Sequence, residues 1–174
     1  EFPSSSSEKI EKGKLSLGWS QSSGLLQLSE ERDITSMYGQ NYGYRSGLNL
    51  SMVSHLQNKV SYLWELCNIE NKKCVLDIGS NDGTLLSKYP LEVLKIGIDP
   101  TISKYSNYYK KDIVKVPEFF TAENFKKVSN GLKADIITSI SMFYDLPDPN
   151  VFVQNIKEIL SPNGIWNLDQ SYIP

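Results

Sequence analysis

With 174 residues, 40 % of them hydrophobic, and a mean hydropathy of −0.33, the chain suits one soluble globular domain with a full core. A net charge of −2 and a pI near 5.5 argue against a nucleic-acid partner gripped through its phosphates. No apolar run approaches membrane-spanning length and residues 1–8 carry no signal-peptide pattern, so neither a membrane nor a secretory route is expected.

Residues 1–23 are polar, rich in Ser and Lys, and read as a loosely ordered lead. Leu25-Leu26-Gln27-Leu28 suits a short strand or an anchor. From Ser46 the pattern turns helical, with Leu48, Met52, Leu56, Val60 and Leu63 at three- or four-residue steps. Ser46 and Asn49 are its candidate caps. Cys67 and Cys74, the only cysteines, sit in apolar settings and read as buried free thiols, which sets a reducing, cytoplasmic compartment as the default. Strands are predicted over 74–78, 94–99, 116–121, 134–140 and 165–169, and helices over 85–89, 101–111, 122–129 and 151–160. Such alternation implies an α/β, Rossmann-like, doubly wound and mostly parallel sheet, and right-handed crossovers give the strand order 3-2-1-4-5.

The stretch C-V-L-D-I-G-S-N-D-G-T at 74–84 organises the rest. Gly79, Ser80, Asn81 and Gly83 form a loop between the first strand and the next helix, where the backbone turns sharply and approaches a ligand. A dinucleotide fingerprint needs glycines at 79, 81 and 84, and Asn81 and Thr84 fail two of those. Asp77 and Asp82 flank the turn; they would repel a pyrophosphate and attract a ligand carrying an ammonium and a sulfonium. S-adenosylmethionine is such a ligand. Asp99, followed by Pro100, ends the second strand 22 positions after Asp77, where a carboxylate accepts both ribose hydroxyls. A nicotinamide-binding Rossmann domain stays as the alternative.

These residues resemble a class I S-adenosylmethionine-dependent methyltransferase core over roughly 70–170. More narrowly, Y-G-Q-N-Y-G-Y-R-S-G-L-N at 38–49, D-I-G-S-N-D-G at 77–83, G-I-D-P-T at 97–101, S-M-F-Y-D-L-P-D-P at 141–149 and D-Q-S-Y at 169–172 resemble the sugar C-methyltransferase family. The chain departs from that family in three ways. Ser20 to Ser23 stand where the family carries the last C-x-x-C of a zinc module, and serine hydroxyls do not replace thiolates, so no metal is expected. A class I core has seven strands and this one stops after the fifth. The family's substrate half would lie beyond Pro174, so the chain reads as a fragment of a larger enzyme.

The resemblance implies a division at residue 45, with a lead and cofactor-covering segment at 1–45 and the donor-binding domain at 46–174. Gly79 and Gly83 would hold the methionine end, Asp99 the ribose, and Phe120 to Glu123, Thr121 included, would border the adenine. Ser141, Met142 and Phe143 would lie near the sulfur. Tyr42, Tyr44 and Arg45 are expected to fold over the cofactor, with Arg45 reaching the methionine carboxylate. The proton acceptor is left open among Tyr144, Asp145 and His55, and His55 falls within the amphipathic helix. The expected reaction is methylation of a small molecule, an activated sugar such as a nucleotide sugar, at carbon or oxygen. A module that binds the donor without turning over alone is the second reading.

Overall fold

The computed structural model describes residues 5–7, 14–29, 38 and 42–170. Two strands, β1 (Leu17–Trp19) and β2 (Leu26–Leu28), pair antiparallel with Leu17 opposite Leu28. The lead is therefore not structureless at 17–19. Its turn is closed where Gly24, at φ +71°, donates to the Ser20 carbonyl at 2.8 Å. Residues 1–4 and 8–13 of the lead lie outside the described residues.

The expected first helix starts as a 3-10 turn, Ser46–Leu48, and continues as α1 (Leu50–Leu66). Of the two candidate caps Asn49 does the capping, because its Oδ1 accepts from Ser51 N at 3.0 Å. Then come β3 (Cys74–Ile78), β4 (Leu94–Ile98), α2 (Ile102–Tyr105), β5 (Ile113–Val116), α3 (Ala122–Val128), β6 (Ala134–Ile140), α4 (Pro149–Ile159) and β7 (Leu160–Asp169). The five later strands form one parallel sheet in the order β5-β4-β3-β6-β7, which is the expected 3-2-1-4-5.

Four boundaries differ from expectation. The strand placed at 116–121 is β5 at Ile113–Val116; Pro117 follows it and has no N–H to give to a ladder, so 117–121 becomes a loop. The helix placed at 85–89 is only a 3-10 turn, Leu86–Lys88, because Tyr89 must leave helical backbone before Pro90 and has ψ 155°. The helix at 101–111 shrinks to α2 and a 3-10 turn, Ser106–Tyr108. The strand expected at 165–169 starts earlier, at Leu160, and β7 carries an irregularity where pairing jumps from Ala134–Leu160 to Ile136–Ile165 and Asn163 takes φ +64°.

The sheet is buried on both faces. Val75, Ile113 and Ile136 pack with Leu56, Val60 and Leu63 of α1. Cys74, Leu76, Ile78, Ile96, Ile98 and Ile137 pack with Phe125 of α3 and Phe152, Ile156 and Ile159 of α4. Period-two alternation thus feeds two separate cores.

One buried carboxylate closes the end of the sheet opposite the glycine loop. Asp135 Oδ2 accepts from Lys73 N at 2.7 Å and Cys74 N at 3.2 Å, and Oδ1 accepts from Ser161 Oγ at 2.8 Å. Removing it leaves the buried Cys74 N–H and the part-buried Lys73 N–H without their acceptor. Asp135→Ala is expected to lower unfolding free energy by about 2–4 kcal/mol in urea titration; a loss under about 0.5 kcal/mol contradicts the stapling role.

Candidate functional site

At the carboxyl edge of the parallel strands lies a cavity of about 530 Å³. Its floor is the loop after β3, and the loop is bent by three left-handed residues: Gly79 at φ +74°, Asn81 at +51° and Gly83 at +75°. A Cβ on Gly79 would stand 3.3 Å from Met142 Cγ, so its absence lets the β6 loop close against the floor. A Cβ on Gly83 would stand 2.7 Å from Tyr109 Cδ1, so this glycine serves packing behind the loop instead of lining the cavity.

Asp99 ties the floor together. Its Oδ2 accepts from Asn81 N at 2.8 Å and its Oδ1 from Thr101 N at 2.6 Å. Two loops from neighbouring strands are thereby fixed by one buried carboxylate that also lines the cavity. Each oxygen keeps a further lone pair for a hydroxyl ligand. Thr101 Oγ1, buried on the same wall, has no hydrogen-bond partner among the described residues.

Asp77 sits deeper. Burial pushes its carboxyl up to about 7, Asp99 adds to the rise, and the bond from Thr138 Oγ1 at 2.6 Å opposes it. A cationic ligand would return it to the charged form. Asp82, expected beside the ligand, is not in the lining. Its Oδ1 accepts from Thr84 N and Thr84 Oγ1 at 3.2 and 2.6 Å, and its Oδ2 accepts from Gly47 N at 2.9 Å. Asp82 is a structural anchor, and the negative floor is Asp77 and Asp99.

Residues 42–47 cross this floor as a strap. Asn81 Oδ1 accepts from Ser46 N at 2.9 Å, and its Nδ2 donates to the Tyr44 carbonyl at 3.0 Å. The Tyr42 carbonyl accepts from Lys104 Nζ and Tyr105 Oη, each at 2.9 Å. The strap is held by the loop it covers, and the Tyr42 and Tyr44 rings meet edge to face at 6.5 Å. Across the mouth, Tyr38 Oη donates to the Asp145 carboxylate.

Of the residues nominated from sequence, Tyr42, Tyr44, Asp77, Gly79, Ser80, Asn81, Asp99, Pro100, Thr121, Ser141, Met142, Tyr144 and Asp145 all line this one cavity. Four do not. The Arg45 guanidinium lies over the Tyr108 ring at 3.7 Å and its Nε is 3.8 Å from Asp82, so it is turned from the cavity. Phe143 packs with Phe152 and Trp166, and Gly83 lies behind the loop. His55 is half exposed on α1 and reaches Asp169 Oδ2 at 3.2 Å. Ser141 adopts φ +52°, which lets its N–H donate to the Asp169 carbonyl at 2.6 Å. Sequence reasoning did not single out Tyr38, Thr101, Phe119, Phe152 or Asn155 on the cavity wall. Tyr38 begins the motif at 38–49 and was within reach of it; Phe152 and Asn155 read only as helix positions.

Over residues 51–169 the sequence matches the methyltransferase domain family. This chain belongs to that family. The chain is 33 % identical over 124 residues to the tRNA U34 carboxymethyltransferase of Campylobacter jejuni (strain RM1221), covering 66 % of this chain and 41 % of that protein. It thus spans less than half the length of this curated relative. It superposes on Streptomyces venezuelae DesVI with a TM-score of 0.58 at 17 % identity, over 83 % of this chain and 60 % of the other. It superposes on the amino pentose methyltransferase CalS10 of Micromonospora echinaspora, solved with S-adenosylmethionine bound, with a TM-score of 0.50 at 13 % identity, over 71 % and 51 %. At such identities the structural likeness speaks for the fold, which is that of a class I methyltransferase core. The methyltransferase match leaves the nicotinamide alternative without support.

The loop's packing makes a direct demand on Gly83. Gly83→Ala, with φ +75° and a backing tyrosine ring at 2.7 Å, is expected to cost about 1–3 kcal/mol in chemical denaturation. An unchanged midpoint would show that Tyr109 yields freely.

Proposed function

We propose that this chain is the donor-binding domain of an S-adenosylmethionine-dependent methyltransferase acting on a small molecule, with a sugar as the acceptor. The observation that carries the reading is Asp99, whose anchored carboxylate faces the cavity at the tip of β4. The residues fit the donor by their chemistry. A carboxylate suits a ribose diol, the unpaired Thr101 hydroxyl offers a further polar contact, and Asp77 supplies negative charge. Phe119 and Phe120, near Thr121, give the apolar wall a purine needs. Bound there, S-adenosylmethionine would supply a methyl carbon made electrophilic by its sulfonium.

The chain's own residues do the rest by position. Asp99 and Asp77 fix the donor's orientation, Tyr42 and Tyr44 cover it from solvent, and Met142, packed on Gly79, borders the reacting end. The acceptor and its proton acceptor are not fixed by these groups; Tyr144 and Asp145 line the cavity and His55 does not. A covering lead through residue 45 and a donor domain from 46 onward belong to the same proposal, with the strap at 42–47 held to the loop on both sides of that point. The acceptor carbon or oxygen, and a cytoplasmic setting with Cys67 and Cys74 buried and free, belong to the same proposal. The second reading, a domain that binds donor without turning over alone, is supported by the share of the relative that the chain spans.

Two measurements test this. Asp99→Ala is expected to weaken S-adenosylhomocysteine binding about tenfold or more by calorimetry, and an unchanged Kd excludes the ribose role. The pH dependence follows from Asp77. Above about 7 its carboxyl is ionised and attracts the ligand's ammonium; below, it is protonated and neutral. Affinity is therefore expected to be about tenfold lower at pH 6 than at pH 8, with the dependence lost in Asp77→Asn. Affinity that rises toward pH 6 contradicts the assignment.

A further inference from the structure

S-adenosylmethionine carries an α-carboxylate, and the cavity offers that group no cation. Among the described residues no Lys, Arg or His lines the wall, and Arg45, expected to hold the carboxylate, is committed to Tyr108 and Asp82. The floor beneath is acidic, with Asp77 and Asp99. A carboxylate placed beside these acids without a counter-charge has to be met by N–H or O–H groups. Several N–H groups there are already given away: Gly79 N to the Ile98 carbonyl, Asn81 N and Thr101 N to Asp99, and Ser46 N to Asn81 Oδ1. The lining is richer in free hydroxyls.

One of those hydroxyls is kept at a cost. Ser141, which directly follows β6, takes φ +52°. Left-handed backbone suits glycine and asparagine and is unfavourable for other residues. Among the described residues the other four non-glycine positions of positive φ are all asparagines: Asn71, Asn81, Asn130 and Asn163. The backbone task at 141 is an N–H given to the Asp169 carbonyl, and glycine would perform it with less strain. No hydrogen bond of Ser141 Oγ among the described residues offsets the strain, and the side chain is exposed where it lines the cavity. Strain kept beside a ligand site with no structural return points to a ligand contact. The unpaired hydroxyls of Tyr44, Ser46 and Tyr144 sit on backbone of negative φ and carry no such cost.

The position of Ser141 agrees. The parallel ladder sets Ile78 beside Ser139, so the turns after β3 and β6 leave the sheet side by side, and Met142 packs over Gly79. Ser141 thus borders the glycine loop on the side away from Asp99, whose strand β4 flanks β3 on the other side. With the ribose at Asp99, the amino-acid end of the ligand runs toward Ser141. We infer that Ser141 Oγ–H donates to the α-carboxylate of S-adenosylmethionine, a neutral hydroxyl taking the part expected of Arg45, while Asp77 faces the ammonium. This rests on the methyltransferase reading and deepens it, because it names the group that recognises the carboxylate. It also accounts for a serine where the backbone alone favours glycine.

Two variants and two ligands test this by calorimetry. Ser141→Gly removes the hydroxyl and relieves the backbone; Ser141→Ala removes the hydroxyl and keeps the strain. The ligands are S-adenosylhomocysteine and 5′-(3-aminopropylthio)-5′-deoxyadenosine, which keeps the ammonium and lacks only the carboxylate. Both variants are expected to bind S-adenosylhomocysteine about tenfold more weakly than the unaltered protein, and the decarboxylated ligand within about twofold of it. Ser141→Gly is expected to unfold at the same urea concentration or a higher one, a result that a purely structural serine would not give. An unchanged Kd for S-adenosylhomocysteine in either variant, an equal loss with both ligands, or a Ser141→Gly protein less stable than its parent overturns the inference. If the unaltered protein binds no S-adenosylhomocysteine, the methyltransferase reading itself fails; if it binds and the variants bind alike, only this inference fails.

Discussion

The Asp99 carboxylate is the constraint on which the site depends. A parallel sheet delivers the ends of β3 and β4 side by side, but nothing in the ladder dictates how the loops beyond them are arranged. Asp99 settles that by accepting the N–H of Asn81 from one loop and the N–H of Thr101 from the other. Asn81 is then held in left-handed backbone, and its side chain is aimed outward to the strap, where it pairs with Ser46 and Tyr44. A chain of hydrogen bonds thus runs from strand tip to floor to cover. Charged hydrogen bonds of this kind are stronger than neutral ones, and here they are buried.

The electrostatics follow from that frame. Negative charge at the floor comes from Asp77 and Asp99, and Asp77 carries it conditionally because burial favours its protonated form. Asp82, equally acidic in sequence, contributes no charge to the cavity; it caps the turn at Thr84 and grips the strap at Gly47. A Cβ on Gly47 would stand 2.7 Å from Asp82 Oδ2, so the small residue and the carboxylate require each other. Arg45 lies over Tyr108 with its Nε toward Asp82, outside the cavity. Among the described residues the cavity is lined by acids, tyrosines, small polar side chains and apolar walls.

Much of this was legible because local pattern and global fold agree. β3 and β6 are runs of buried residues too apolar for anything but a central parallel strand, and their loops announce themselves by glycine and asparagine. Boundaries were less legible. Val116 to Thr121 looks like a strand by composition, yet Pro117 cannot donate, and the pairing residues are the less conspicuous Ile113 to Val116. The purpose of each acidic residue was the hardest to read. Asp77, Asp82 and Asp99 look alike in sequence, and only the fold shows which face a ligand. Contacts such as His55 with Asp169, 114 positions apart, leave no sequence trace at all.

The proposed donor site is the cavity at the carboxyl edge of the sheet, in a chain that belongs to the methyltransferase domain family. The most direct test is a crystal structure of the protein grown with S-adenosylhomocysteine. The account requires the ribose hydroxyls within hydrogen-bonding distance of the Asp99 carboxylate, with the amino-acid end over the loop of Gly79. A ligand bound elsewhere on the sheet, or a cavity closed by its own side chains, would contradict it.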